Sequence, residues 1–173
     1  MMSVRACGAF LFLLSILALA TAWFAERVIG LPPCELCLLE RIPWKITFFL
    51  GAVALLVNGR VGAIANVTAI PMTFVGVVLS AINIGVEQKW WESPFPACHA
   101  PVFKGGSFSQ HLAAMPPRPV KPCDAPIYLF HLPFSMALMG GAVSLVVMIA
   151  LVYWAHAYFT TSRKRFRHSA SFR

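Results

Sequence analysis

The sequence predicts an all-α integral membrane protein, a four-transmembrane-helix bundle with two loops on one side of the bilayer. Three observations predict it. The 173-residue chain is 59% hydrophobic and only 12% charged, which is membrane-like in composition. Its apolar residues come in blocks of about twenty, the length that crosses a hydrocarbon core roughly 30 Å thick at about 1.5 Å per helical residue. Five of its basic residues crowd the short segment after the last apolar block, while those on the opposite face are spread over two longer loops.

The spans are expected at 6–25, 42–57, 64–86 and 132–157. The first carries no charge and ends at Glu26 and Arg27. Its run is longer than a signal-peptide core, so it is read as a retained span and not as a leader cleaved near Ala20-Thr21-Ala22. The second is the shortest, with Lys45 close enough to its start to snorkel. The third and fourth contain Pro71 and Pro133 and have length enough to tilt or bend. All four are read as helices, because a sheet edge left open in lipid strands its backbone polar groups.

A cytoplasmic N-terminus places Arg5, Arg60, Arg163, Lys164, Arg165, Arg167 and Arg173 inside and all six acids outside. The positive-inside rule thus puts both termini in the cytoplasm, with the tail 160–173 inside and the loops 26–41 and 87–126 outside. The net charge of +8 is then a topology signal assisted by anionic lipid, not a nucleic-acid footprint. Trp23, Trp44, Trp90 and Trp91 fall at the expected outer boundary and Tyr153, Trp154 and Tyr158 near the inner one, as an aromatic belt.

The outer loops carry the chemistry. The first contains "LPPCELCLLERIPW", with Cys34 and Cys37 two residues apart. The second contains Cys98 and Cys123 among prolines and a Gly105-Gly106-Ser107 break. Four cysteines on one side of a membrane, in an oxidising compartment, suggest disulfides. The fifth, Cys7, reads as a small buried hydrophobe.

Thiols spaced like Cys34 and Cys37 can close a small, readily reduced ring. The start of a following helix and Arg41, one turn beyond Cys37, both favour the thiolate that disulfide exchange requires. The alternatives are a structural disulfide or half of a metal site. Since Cys98 and Cys123 are not spaced as a second CxxC, no metal site is assigned. Cys98 and Cys123, if joined, either staple the second loop or take part in a relay with the first pair. Ser107 to Met115 has the spacing of a short surface helix, and Lys104, Arg118 and Lys121 make the same loop basic, a surface for a complementary partner.

Arg41 sits at the lip of the hydrocarbon, where a guanidinium snorkels, pairs or serves a function. Glu40 is its sequence neighbour, but adjacent helical residues do not face each other. The sharper reading has Arg41 donating to an oxygen of a lipid-soluble electron acceptor beside Cys37. No haem, flavin or dinucleotide motif is present, and a quinone would serve.

Four spans, "PCELCLLER" before the second, "SPFPAC" after the third and "KPCDAP" before the fourth resemble the disulfide bond formation protein B (DsbB) family of bacterial inner membranes. The resemblance covers nearly the whole chain in architecture, with strong local matching in those stretches. It implies a quinone-dependent protein-disulfide oxidoreductase that re-oxidises a periplasmic thioredoxin-fold oxidase, DsbA, and passes electrons to ubiquinone or menaquinone. By that resemblance the redox disulfides are Cys34 with Cys37 and Cys98 with Cys123. The partner's thiolate attacks Cys98, exchange with Cys34 regenerates the second pair, Cys37 delivers electrons to the quinone, and Arg41 holds a quinone oxygen.

Gly85 stands where some relatives carry a histidine near the quinone, with Glu87 and Gln88 the nearest polar residues. Two other functions compete: a non-enzymatic membrane scaffold with structural loop disulfides, and a vitamin K epoxide reductase-like quinone reductase. The latter family places its CxxC at a later helix.

Overall fold

The computed structural model describes residues 3–93, 98, 109, 122–125, 128 and 134–170, with side chains to 163. Helices dominate: α1 spans Val4–Arg27, α2 Glu35–Leu56, α3 Arg60–Glu87 and α4 Met136–Ala170. The expected surface helix over Ser107 to Met115 and the basic residues Lys104, Arg118 and Lys121 lie outside the described residues, apart from Ser109.

Consecutive helices pack along their lengths, α1 on α2, α2 on α3 and α3 on α4, while α1 meets α3 and α4 only sparingly. The connections explain the order. After α1 the chain turns at Gly30, whose φ of 77° suits a residue without Cβ, and the Leu31 N–H returns to the Ala25 carbonyl at 3.0 Å. A second tight turn at Gly59, φ 86°, makes α2 and α3 antiparallel neighbours.

Close backbone approach sets the α1–α2 contact. A Cβ on Gly8 would stand 2.7 Å from the Ala54 backbone, and one on Gly51 would stand 2.7 Å from the Phe12 backbone nitrogen. Small residues at such crossings let van der Waals contact build along the helices, which is the main attraction available where lipid removes the hydrophobic effect between them. Ser15 and Thr47 complete the seam with a buried hydroxyl pair at 3.1 Å.

The outer surface is strongly apolar. Leu13, Leu17, Phe49, Leu56, Ile64, Val146 and Ile149 are all exposed, the reverse of a water-facing bundle. Three helices are long and apolar enough to cross a membrane: Val4–Arg27, Arg60–Glu87 and Met136–Arg163. The helix α2 falls outside that group because Glu40, Arg41 and Lys45 interrupt its apolar run.

Several expectations need correction. The helix expected from residue 42 begins at Glu35, so Cys37 lies in its first turn, Cys34 just before it, and Pro43 inside it. Proline removes a main-chain donor wherever it sits, yet α2 continues past it, with the Thr47 hydroxyl donating to the Pro43 carbonyl at 3.0 Å. At the other end of the chain, α4 runs to Ala170, so the helix continues through most of the segment 160–173, a feature that leaves the expected tail as it stands. Trp154 is buried and not a belt residue: it packs among Cys7, Leu11, Val147 and Leu151 and stacks on Tyr158 at 5.3 Å. Trp23, Trp90, Trp91 and Tyr153 are exposed, whereas Trp44 turns partly inward.

Candidate functional site

Cys34 is the N-cap of α2. Its Sγ accepts the Cys37 N–H at 3.1 Å, in the place where Ser or Asp usually satisfies an unpaired helical N–H. The cap explains why the helix begins where it does, and it puts sulfur at the positive end of the helix dipole. Cys34 and Cys37 are joined as a disulfide with Cα atoms 5.1 Å apart.

Cys98 and Cys123 form the second disulfide, Cα atoms 5.0 Å apart, and the Cys123 N–H donates to the Cys98 carbonyl beside it at 3.2 Å. The two disulfides are neighbours. Cys34, Cys98 and Cys123 belong to one buried cluster with Leu36 of α2 and Val86 of α3, and Cys37, Leu39 and Ile82 pack against it. Each of Cys34, Cys98 and Cys123 is less than 5% exposed, so Cys34 faces the second disulfide and not open water.

Cys37 has a different outlook. It forms part of the wall of a cavity of about 330 Å³ between α1, α2 and the start of α4. The cavity opens because α1 and α4 touch so little. Most of its wall is apolar, including Leu17, Ala22, Trp44, Met136 and Val143, and its polar groups are few: Thr21, Cys37, Glu26, Glu40 and Arg41. Small-molecule sites typically combine an apolar lining with a few convergent polar groups in this way.

Arg41 faces this cavity and is held there. Its Nη1 donates to Glu26 Oε2 at 2.7 Å, linking α2 to the end of α1. Glu40, the sequence neighbour of Arg41, points elsewhere: its Oε1 accepts from Asn83 Nδ2 of α3 at 3.2 Å, and its Oε2 approaches Gly140 of α4. Asn83 Nδ2 also lies 3.8 Å from Cys37 Sγ.

Gly85, Glu87 and Gln88, at the end of α3, do not line this cavity. Beyond α3, Lys89 takes a left-handed φ of 59° and the Trp90 N–H returns to the Gly85 carbonyl at 2.9 Å. That turn folds the Trp91 indole directly over Gly85, so that any Cβ there would overlap the ring. Thus a side chain at position 85 is replaced by Trp91. Sequence reasoning assigned none of Glu26, Glu40 or Asn83 to the site. Asn83 had a readable signal, a polar amide inside an apolar run, which in a membrane helix marks function or interhelical contact.

A bundle of apolar-faced helices with two adjacent disulfides at one end, one of them opening on an apolar cavity, defines a membrane-embedded thiol–disulfide protein. Comparison with known sequences agrees. The family model for disulfide bond formation protein DsbB matches residues 4–154, and the chain belongs to the DsbB family. Disulfide bond formation protein B of Neisseria gonorrhoeae (strain ATCC 700825 / FA 1090) is 30% identical over 156 residues, 85% of this chain and 91% of that protein. No solved structure matches. Family membership supports a role in disulfide bond formation.

Proposed function

We propose that this chain re-oxidises a DsbA-like periplasmic thiol oxidase and passes the electrons to ubiquinone or menaquinone in the inner membrane. The observation that carries this reading is the position of the first disulfide, with Cys34 against Cys98 and Cys123 and Cys37 on the cavity wall. Electrons entering at Cys98 then have a short route to Cys34, across the disulfide to Cys37, and into a lipid-soluble acceptor.

The residues suit a quinone head group. A flat ring needs an apolar slot, its carbonyl oxygens need donors, and Arg41 supplies a charged donor on a mostly apolar wall. When bound, the quinone would supply a two-electron sink. Arg41 would orient it, sharing its guanidinium with Glu26, while the apolar lining excludes water from the reacting sulfur.

Cys98 is the residue through which the partner is engaged. Because Cys98 is buried, the partner's thiolate reaches it only after the surrounding cluster separates, a step that couples docking to exchange. The four helices all cross the membrane in this reading. At about 33 Å for 22 residues α2 is long enough, its charges fall in its first half, and its outward residues Ile42, Ile46, Phe49, Val53 and Leu56 are exposed and apolar. Both termini then lie in the cytoplasm and the disulfides in the periplasm.

The test is covalent trapping. A Cys123→Ala variant leaves Cys98 unable to complete exchange, and a thioredoxin-fold protein should be recovered attached to Cys98 through a mixed disulfide. Recovery of no thiol-linked protein, together with no reduction of added quinone by the reduced wild-type chain, would leave a scaffold with structural disulfides.

A further inference from the structure

Quinone reduction moves protons as well as electrons, and the relay of cysteines accounts only for the electrons. The Cys34–Cys37 dithiol loses two electrons and two protons as its S–S bond forms. The quinone gains two electrons and two protons to become the quinol. Cys37 opens on a cavity whose wall is mostly apolar, so a proton leaving its sulfur needs one of the few polar groups there as a carrier.

One group is placed for it. Glu40 lies one helical turn beyond Cys37, on the same face of α2, and both line the cavity. A single amide joins them from α3: Asn83 Nδ2 is 3.2 Å from Glu40 Oε1 and 3.8 Å from Cys37 Sγ. Asn83 is fully buried, and its Oδ1 has no hydrogen-bond partner among the described residues. In a fully buried group that is costly, unless another state of the site supplies a donor. A carboxamide can donate to a carboxylate or, turned over, accept from a carboxylic acid. Asn83 can therefore serve Glu40 in both protonation states.

The surroundings keep Glu40 available. Arg41, the adjacent cation, is turned to Glu26 on α1. On α3, Ser80 lies against the carboxyl and Glu87 is the charged neighbour. On α4, the approach is made by Gly140, which has no side chain to block it, and residues 136–151 contain no titratable group.

We propose that Glu40 is the proton carrier between Cys37 and the quinone, and that Asn83 is the positioning residue that holds sulfur and carboxyl in register. The proposal rests on the quinone-linked reading above. The Cys37 thiol gives its proton to the Glu40 carboxylate, leaving a thiolate beside a carboxylic acid. As the thiol pair closes to the disulfide and two electrons pass to the quinone, Glu40 gives that proton to one quinone oxygen and returns to carboxylate. The Cys34 proton leaves to solvent when the surrounding cluster separates for exchange, and the second quinone oxygen, on the side of the ring away from Cys37, takes one from solvent.

Two measurements on the purified full chain test it. In quinone-free protein, the reduced-minus-oxidised infrared difference spectrum should show a protonated-carboxyl band that shifts with isotope-labelled glutamate and is absent from Glu40→Gln. The thiolate ultraviolet absorbance should fall in parallel in Asn83→Leu. In single-turnover oxidation by a short-chain ubiquinone, Glu40→Gln, which keeps the shape and hydrogen bonds of the side chain, should be slower by roughly a hundredfold. No carboxyl band in the wild type, or a Glu40→Gln variant as fast as wild type, overturns the assignment of Glu40 alone. A reduced wild type that does not reduce the quinone overturns the quinone-linked reading and this proposal with it.

Discussion

The two ends of the helix bundle are built on opposite principles. At the end where α1 begins, Val4, Cys7 and Leu11 pack with Ala63, Ala69, Val147, Leu151, Trp154 and Ala155, and Gly62 approaches the Val57 carbonyl so closely that a Cβ would overlap it. A buried amide there, Asn66, donates its Nδ2 to the Val4 carbonyl at 3.1 Å, its Oδ1 having no partner among the described residues. At the other end α1, α2 and α4 spread around a cavity lined by the polar groups Arg41, Glu26 and Glu40, with Arg41 paired to Glu26 and Glu40 held from behind by the buried Asn83. Tight interhelical packing gives rigidity to a reactive end that is itself open. A site that must admit a ligand cannot be packed to interior density, so its geometry is set by elements anchored elsewhere.

That contrast is broken most directly at Cys37. Cys37→Ser should abolish quinone reduction completely, followed through the quinone absorbance, while the Cys98–Cys123 disulfide persists. Full activity in that variant would falsify the electron route. The opposite failure is expected at the packed seam. Gly51→Leu forces a side chain against the Phe12 backbone and should destabilise the bundle by about 2 kcal/mol, measured as earlier thermal or denaturant unfolding in detergent. Molecules that remain folded should keep their thiol chemistry, and unchanged stability would mean that the α1–α2 seam is looser than described.

Arg41→Ala sharpens the open end. Loss of a charged donor, about 1.5–3 kcal/mol when fully used, should raise KM for quinone by roughly tenfold or more with little change in unfolding. An unchanged KM removes Arg41 from the binding site. The smallest effect is expected from Glu26→Gln. Its ion pair with Arg41 is about a quarter exposed on each side, and such pairs contribute less than about 1 kcal/mol. Releasing the guanidinium should lower KM only a few-fold and weaken its dependence on salt, read from steady-state kinetics at low and high ionic strength.

How much of this was legible varies residue by residue. Helix number and order followed from block length, whereas the turns at Gly30 and Gly59 were seen only in the structure. The start of α2 did not follow, because Pro43 reads locally as a first-turn residue, whereas the Cys34 cap, a sulfur in a role usually filled by oxygen, begins the helix at Glu35. Of the site, the four cysteines and Arg41 were candidates by residue type and spacing. The family match supports the class of chemistry, and the roles of individual residues belong to the proposal. Glu26 and Asn83 act across helices, and no spacing in the chain announces a contact between residues 26 and 41 or between 83 and 40.

The sequence by itself determined the class of molecule and the location of its chemistry. Hydrocarbon thickness converts apolar block length into helices, and thiol chemistry is written in residue identity. Only the tertiary structure decided which sulfur looks inward to the second disulfide and which opens on the cavity. It also decided that Trp91 occupies the space over Gly85, that Arg41 turns to Glu26, and that Glu40 turns to Asn83. Those choices depend on the rotation of each helix about its own axis and on how closely glycines let neighbours approach, quantities fixed by packing between distant segments and carried by no local pattern.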